Sequence, residues 1–277
     1  MILDQSLSFL ANWFSNPNLA GMGLAILLGV FWYALYLPPL RGYAFLWGVG
    51  VVAAILTLLA IVMIQMPLQA LVGMLLSRAF QPDTLTRWLY ILGLPQILLS
   101  GFVQEAAKLV PILYVWHRAD RYLDPKVGLI IGATAGLGFG VFEAMWVMNQ
   151  AYAAGWSWSV VGAAGFSGLM PVWERFFTVG GHIAFSALAG YGLARERGWI
   201  FFLIAAGLHS MLNYTVVMLQ AGLISITTLE ILIALLAVGV TGWVMYLRHT
   251  GYKAPWAAGG YRKRLHLGKE PREYVNK

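Results

Sequence analysis

Cysteine is absent from the 277 residues. That excludes disulfides, thiolate nucleophiles and cysteine-held metals, so any metal must be bound by histidine and carboxylate. Charge is scarce as well. Asp, Glu, Lys and Arg make up 10% of the chain against 60% apolar residues, where a soluble domain carries about 25% charged residues. Such a chain could not cover its own surface in water, which excludes a soluble globular protein. Glycine (31 residues) and tryptophan (12 residues) are abundant instead. Glycine lets membrane helices approach closely, and tryptophan anchors at the bilayer interface. The composition predicts an all-α, polytopic integral membrane protein.

A span needs about 20 mainly apolar residues. The hydropathy pattern predicts about seven, at 19–38, 44–66, 90–116, 127–149, 173–193, 199–219 and 223–247. Residues 3–15 read as an amphipathic interfacial helix. Their only charge is Asp4, without the basic start of a signal peptide. Two apolar stretches, 67–80 and 156–171, are too short to span and are expected to be interfacial or re-entrant. With the N-terminus outside, the cytoplasmic side receives Arg41, Arg118, Arg121, Lys126, Arg195, Arg197 and eight basic residues from Arg248 onward, leaving only Arg78 and Arg87 outside. Basic residues concentrate on the cytoplasmic side, so an N-out, C-in bundle follows. It comprises a transmembrane domain over 1–247 and a basic cytoplasmic tail over 248–277. The net charge of +7 then reflects topology and headgroup contact, and no nucleic-acid partner is expected.

Ionisable residues inside spans are costly and usually functional. The third predicted span holds Glu105 and Lys108 (QEAAK), and the fourth Glu143 (FGVFE). The fifth holds Glu174, Arg175 and His182 (ERFFTVGGH). The sixth holds His209 and Asn213 (HSMLN), and the seventh Glu230. Helical spacing puts Glu105 with Lys108, Phe139 with Glu143, Arg175 with His182, and His209 with Asn213 on shared faces. Measured from the cytoplasmic end of each span, Glu105 and His182 lie ~18 Å deep and His209 ~16 Å. Glu143 comes out at ~25 Å, so its span must start late, tilt or bend at GATAGLGFG to bring it level.

Lys108 is expected to pair with Glu105, and Arg175 with Glu174 or Glu143. Glu174 is expected to be solvated, and Glu230 has no assigned role. A polar network that only joins helices needs hydrogen bonds, not two carboxylates and two histidines at similar depth. That set suits hydrolysis in either of two ways. Two histidines and one carboxylate can hold a catalytic zinc while a second Glu takes the water proton. Alternatively, a Glu activates water directly and His and Asn stabilise the oxyanion. An HExxH motif is lacking, which excludes an ordinary zincin.

At these residues the sequence resembles the PrsW family of intramembrane proteases, in a superfamily with the CAAX prenyl proteases and the CPBP proteins. QEAAK at 104–108 resembles that superfamily's EExxK motif with Gln104 in place of the first Glu. FGVFE at 139–143 resembles FxxxE, His182 the histidine of the next helix, and HSMLN at 209–213 resembles HxxxN. The resemblance covers about 100–215. It implies that Glu105 activates water, that Glu143, His182 and His209 bind metal (zinc) or assist the base, and that Asn213 holds the oxyanion. It further implies a membrane-anchored protein substrate and a prokaryotic cell membrane.

Three rival readings exist. GFSG at 165–168 resembles a rhomboid serine motif, with Ser167 and His209 as a dyad, but that leaves Glu105, Glu143 and His182 unexplained; close helix packing is the expected use of GFSG. Midplane Glu and His also serve proton-coupled carriers. A non-catalytic membrane adaptor of the same fold is the third.

Overall fold

The structure is a computed structural model that describes residues 2–38 and 44–250. Arg41 and the tail from 251 onward lie outside the described residues. The order is α1 (Ile2–Trp13), α2 (Leu19–Ala34), α3 (Phe45–Ala60), a π-helical turn (Ile61–Gln65), α4 (Met66–Ala79), α5 (Pro82–Arg87), α6 (Leu89–Leu92), α7 (Leu94–Arg118), α8 (Pro125–Ala153), α9 (Trp158–Ala164), a 3-10 turn (Gly165–Leu169), α10 (Met170–Ala194), α11 (Gly198–Gln220) and α12 (Ile226–Thr250). No strand occurs among the described residues. The protein is an all-α bundle.

Among the described residues, six helical stretches are long and apolar enough to cross a bilayer: Phe45–Ala79, Leu89–Arg118, Pro125–Ala153, Trp158–Ala194, Gly198–Gln220 and Ile226–Thr250. The predicted first span is a shorter apolar helix, α2, with 16 residues, or ~24 Å. It stops because Pro38 bars helical backbone at the residue before it, and Leu37 turns into the left-handed region at φ 43°. Polarity is distributed inside out. Leu235 is 65% exposed while Lys108 is 0% exposed, the pattern expected where lipid is the solvent.

The two leftover apolar stretches are each continuous with a neighbouring long helix. Residues 67–80 do not form a separate element; they continue α3 through the π turn into α4. Pro67 explains the turn. Proline lacks an N–H, and its ring clashes with the carbonyl four residues back. The widened turn, where the Met66 N–H reaches the Ile61 carbonyl, accommodates it without ending the helix. Residues 156–171 form α9 and the 3-10 turn leading into α10, pinned where Trp156 Nε1 donates to the Gly168 carbonyl at 2.7 Å. The predicted interfacial helix is α1. Its Trp13 stacks on Trp146 of α8 at 4.5 Å between ring centroids, and Gln150 donates to the Asn12 carbonyl at 3.2 Å.

The centre of the bundle is the α8–α10 pair, which meets along Gly128, Gly132, Gly136 and Gly140. A Cβ at Gly136 would fall 2.2 Å from the His182 carbonyl oxygen, and one at Gly132 would fall 2.1 Å from that of Ser186. Glycine is required here for close approach, because a fourfold spacing places one ridge of small residues along the helix. α11 reaches α7 the same way: a Cβ at Gly101 would lie 2.2 Å from Ser210 Oγ. These contacts bring α7, α8, α10 and α11 together around one buried point.

Candidate active site

Four helices each present polar side chains to that point. α7 supplies Glu105 and Lys108, one turn apart, and their side chains are 1% and 0% exposed. They form an ion pair, as the spacing predicts. α11 supplies His209, whose Nδ1 lies 2.8 Å from Glu105 Oε1. α10 supplies His182, whose Nδ1 lies 3.2 Å from Lys108 Nζ, and Ser186, whose hydroxyl donates to Glu105 Oε2 at 3.2 Å. Glu105 is therefore met by Lys108, His209 and Ser186. An enclosed carboxylate needs such partners, since an unpaired charge in hydrocarbon is strongly disfavoured.

Glu143 joins from α8. Its Oε2 lies 3.1 Å from His182 Nε2 and accepts from Arg175 Nη1 at 3.2 Å. The long, unbroken 29-residue α8, laid against α10 along the glycine ridge, brings Glu143 level with His182. Arg175 also pairs with Glu174; the single guanidinium thus meets both carboxylates. The side chain of Glu143 is 21% exposed and that of Glu174 29%, so this edge of the cluster is the open one. Phe139, one turn before Glu143, is wholly buried. It packs edge-on against His182 at 5.3 Å, and its ring lies 5.8 Å from Lys108 Nζ. That contact is the physical content of the FGVFE spacing.

Glu105, His182 and His209 each offer one ligand atom, all within 4.8 Å of one another, and all three residues are buried. Two imidazoles and a carboxylate fit a catalytic zinc by type and proximity. This trio differs from the expected one, because the glutamate grouped with the histidines is Glu105 while Glu143 contacts the far nitrogen of His182.

Asn213 is half-buried and donates through Nδ2 to Ser100 Oγ at 3.0 Å. Ser167 is exposed and donates to the Ala164 carbonyl of its own turn, whereas His209 is 1% exposed; the serine serves the turn. Glu230 is buried at 5% exposure, and its Oε2 has no hydrogen-bond partner among the described residues. Sequence reasoning missed Ser186, Ser100 and Gln65. Ser186 was findable, four residues beyond His182 and hence on its face. Ser100 stands four residues before Gln104 in the same way. Gln65 had no readable signal, because the π turn sets its direction.

A family model described as PrsW family intramembrane metalloprotease matches residues 38–244. No curated protein and no solved structure matches the chain.

Proposed function

The chain belongs to the PrsW family of intramembrane metalloproteases, and on that premise we propose that it hydrolyses a peptide bond of a membrane-anchored protein with the Glu105–His182–His209 cluster and Glu143. The carrying observation is the convergence of those three donors from three helices, with a second carboxylate at the open edge. Glu105, His182 and His209 would hold the metal. A zinc ion held there would supply Lewis acidity toward the scissile carbonyl and toward water. Glu143 accepts a proton from water and returns it to the leaving amine. Arg175 and His182 fix its carboxylate for both steps. Asn213, tethered through Ser100, directs its amide toward the developing oxyanion. Lys108 keeps Glu105 ionised, as a ligand must be.

These assignments exchange the expected roles of the two glutamates. The reason is access: Glu105 is enclosed at 1% side-chain exposure among three polar partners, while Glu143 keeps 21%. One observation favours a metal-free second reading, in which Glu105 itself activates water: Lys108 Nζ already places a cation between Glu105 and His182.

The deciding experiment measures cleavage of a membrane-embedded peptide and metal content for the purified wild type, Glu105→Gln, Glu143→Gln and His182→Ala. The metal reading expects about one ion per chain in the wild type, none in His182→Ala, and bound metal without turnover in Glu143→Gln, a loss of about 10²–10⁴-fold. A metal-free, active wild type that is silenced by Glu105→Gln supports the second reading. Normal turnover by both glutamine variants sinks the hydrolase mechanism and favours a carrier or adaptor. The distribution of basic residues supports N-terminus out and C-terminus in, and the motif order supports kinship with the CAAX and CPBP proteins and a prokaryotic cell membrane.

A further inference from the structure

Beside the catalytic cluster runs a line of side-chain amides that the mechanism does not use. Gln96 lies near the start of α7 and Gln69 on α4. Gln69 Nε2 donates to the Gln96 backbone carbonyl at 2.9 Å. That carbonyl can only accept, so the orientation of the Gln69 amide is fixed and its Oε1 faces the other way. Gln65 Nε2 then donates to Gln69 Oε1 at 3.3 Å. In turn Gln104 Nε2 donates to Gln65 Oε1 at 3.1 Å and to Ser100 Oγ at 3.3 Å. The polarity therefore propagates link by link from a group that cannot flip, and it ends on one free acceptor, Gln104 Oε1.

That oxygen is buried and has no hydrogen-bond partner among the described residues, in a residue 6% exposed. An unsatisfied acceptor inside a bilayer is disfavoured because no solvent is there to meet it. Its location points to its donor. Gln104 precedes Glu105 in the chain and shares Ser100 with Asn213. Asn213 stands one helical turn from His209.

Resting on the protease reading, we infer that Gln104 Oε1 accepts a main-chain N–H of the substrate, and that Gln65 is the positioning residue that sets the Gln104 amide. The ligand class is an unwound peptide segment within the membrane. A helical segment hides its N–H and C=O groups in its own bonds; the stretch about to be cut must open, and each freed N–H then needs an acceptor in a medium without water. Glutamine suits the task. It accepts without adding a second negative charge beside Glu105, and it keeps the N–H that a carboxylate would lack for Gln65. The π turn is what brings Gln65 to this seam.

The test uses the full-length protein in lipid nanodiscs and a synthetic single-span peptide: a lysine-flanked leucine–alanine helix with a central Gly-Ser-Gly break. A matching set replaces each amide N–H of the break by an ester oxygen, one position at a time. Binding is read by fluorescence transfer and cleavage by mass spectrometry on the same samples. At one position the ester should weaken binding to the wild type about tenfold, the scale of one buried hydrogen bond. Gln104→Met should bind the amide and that ester alike, at the ester's level. Gln65→Met, which leaves Gln104 in place, should shrink the ester penalty at the same position. An equal penalty in the wild type and Gln104→Met, no penalty at any position, or no binding by the wild type overturns the inference. Binding that depends on Gln104 without cleavage would keep the anchor and sink the proposed hydrolysis. Cleavage with ester penalties indifferent to Gln104 would do the reverse.

Discussion

Lys108 is the residue on which the charge balance of the site turns. Its ammonium is fully enclosed, paired with Glu105 and within 3.2 Å of His182 Nδ1. Replacing it by Met would leave Glu105 as a buried carboxylate without its cation. Breaking a buried pair from one side costs about 3–5 kcal/mol. Lys108→Met should therefore lower thermal stability in detergent clearly, whereas the double variant Lys108→Met with Glu105→Gln should recover part of the loss; melting curves of the two variants decide it. The ionisable members of the cluster were legible in the sequence because charge inside an apolar run stands out. Ser186 and Ser100 carried only the weak signal of helical spacing, and Gln65 carried none. Serine and glutamine are common in membrane helices as plain hydrogen-bonding groups, and only the fold shows which of them reach Glu105 or Gln104.

The glycine ridge of α8 ties backbone packing directly to site geometry. Gly136 faces the carbonyl of His182, so a methyl group there must push the α10 backbone, and His182 moves with it. Overpacking of this kind costs about 1–3 kcal/mol. Gly136→Ala should lower stability by that amount and also reduce cleavage. Gly162→Ala, where a Cβ meets nothing within 4 Å, should leave both unchanged. The repeat at 128, 132, 136 and 140 was present in the sequence. Glycine abundance alone did not say which partner it faced, and GATAGLGFG read equally well as a bend. The spans were legible from hydropathy, but the joining of α3 to α4 was not. Pro67 reads as a helix stop, and only a π turn lets the chain run through it.

Across the whole molecule, the basic residues predict opposite sides for the two ends. Reporter fusions at Gln5 and Glu270 should report outside and inside respectively; a same-side result would reassign every loop. The ion pairs, viewed along the chain, also set an order of biogenesis. α7 enters the membrane carrying its own counter-ion, Lys108 for Glu105, and α10 does the same with Arg175 and Glu174. α8 does not. Past Lys126 at its start, Glu143 is its only formally charged residue, and the partners of that carboxylate arrive later, on α10. The translocon thus meets α8 before the groups that make its charge tolerable exist. Tested singly in a glycosylation-mapping assay, α8 should insert less completely than its Glu143→Leu variant, and appending the chain through α10 should restore full insertion.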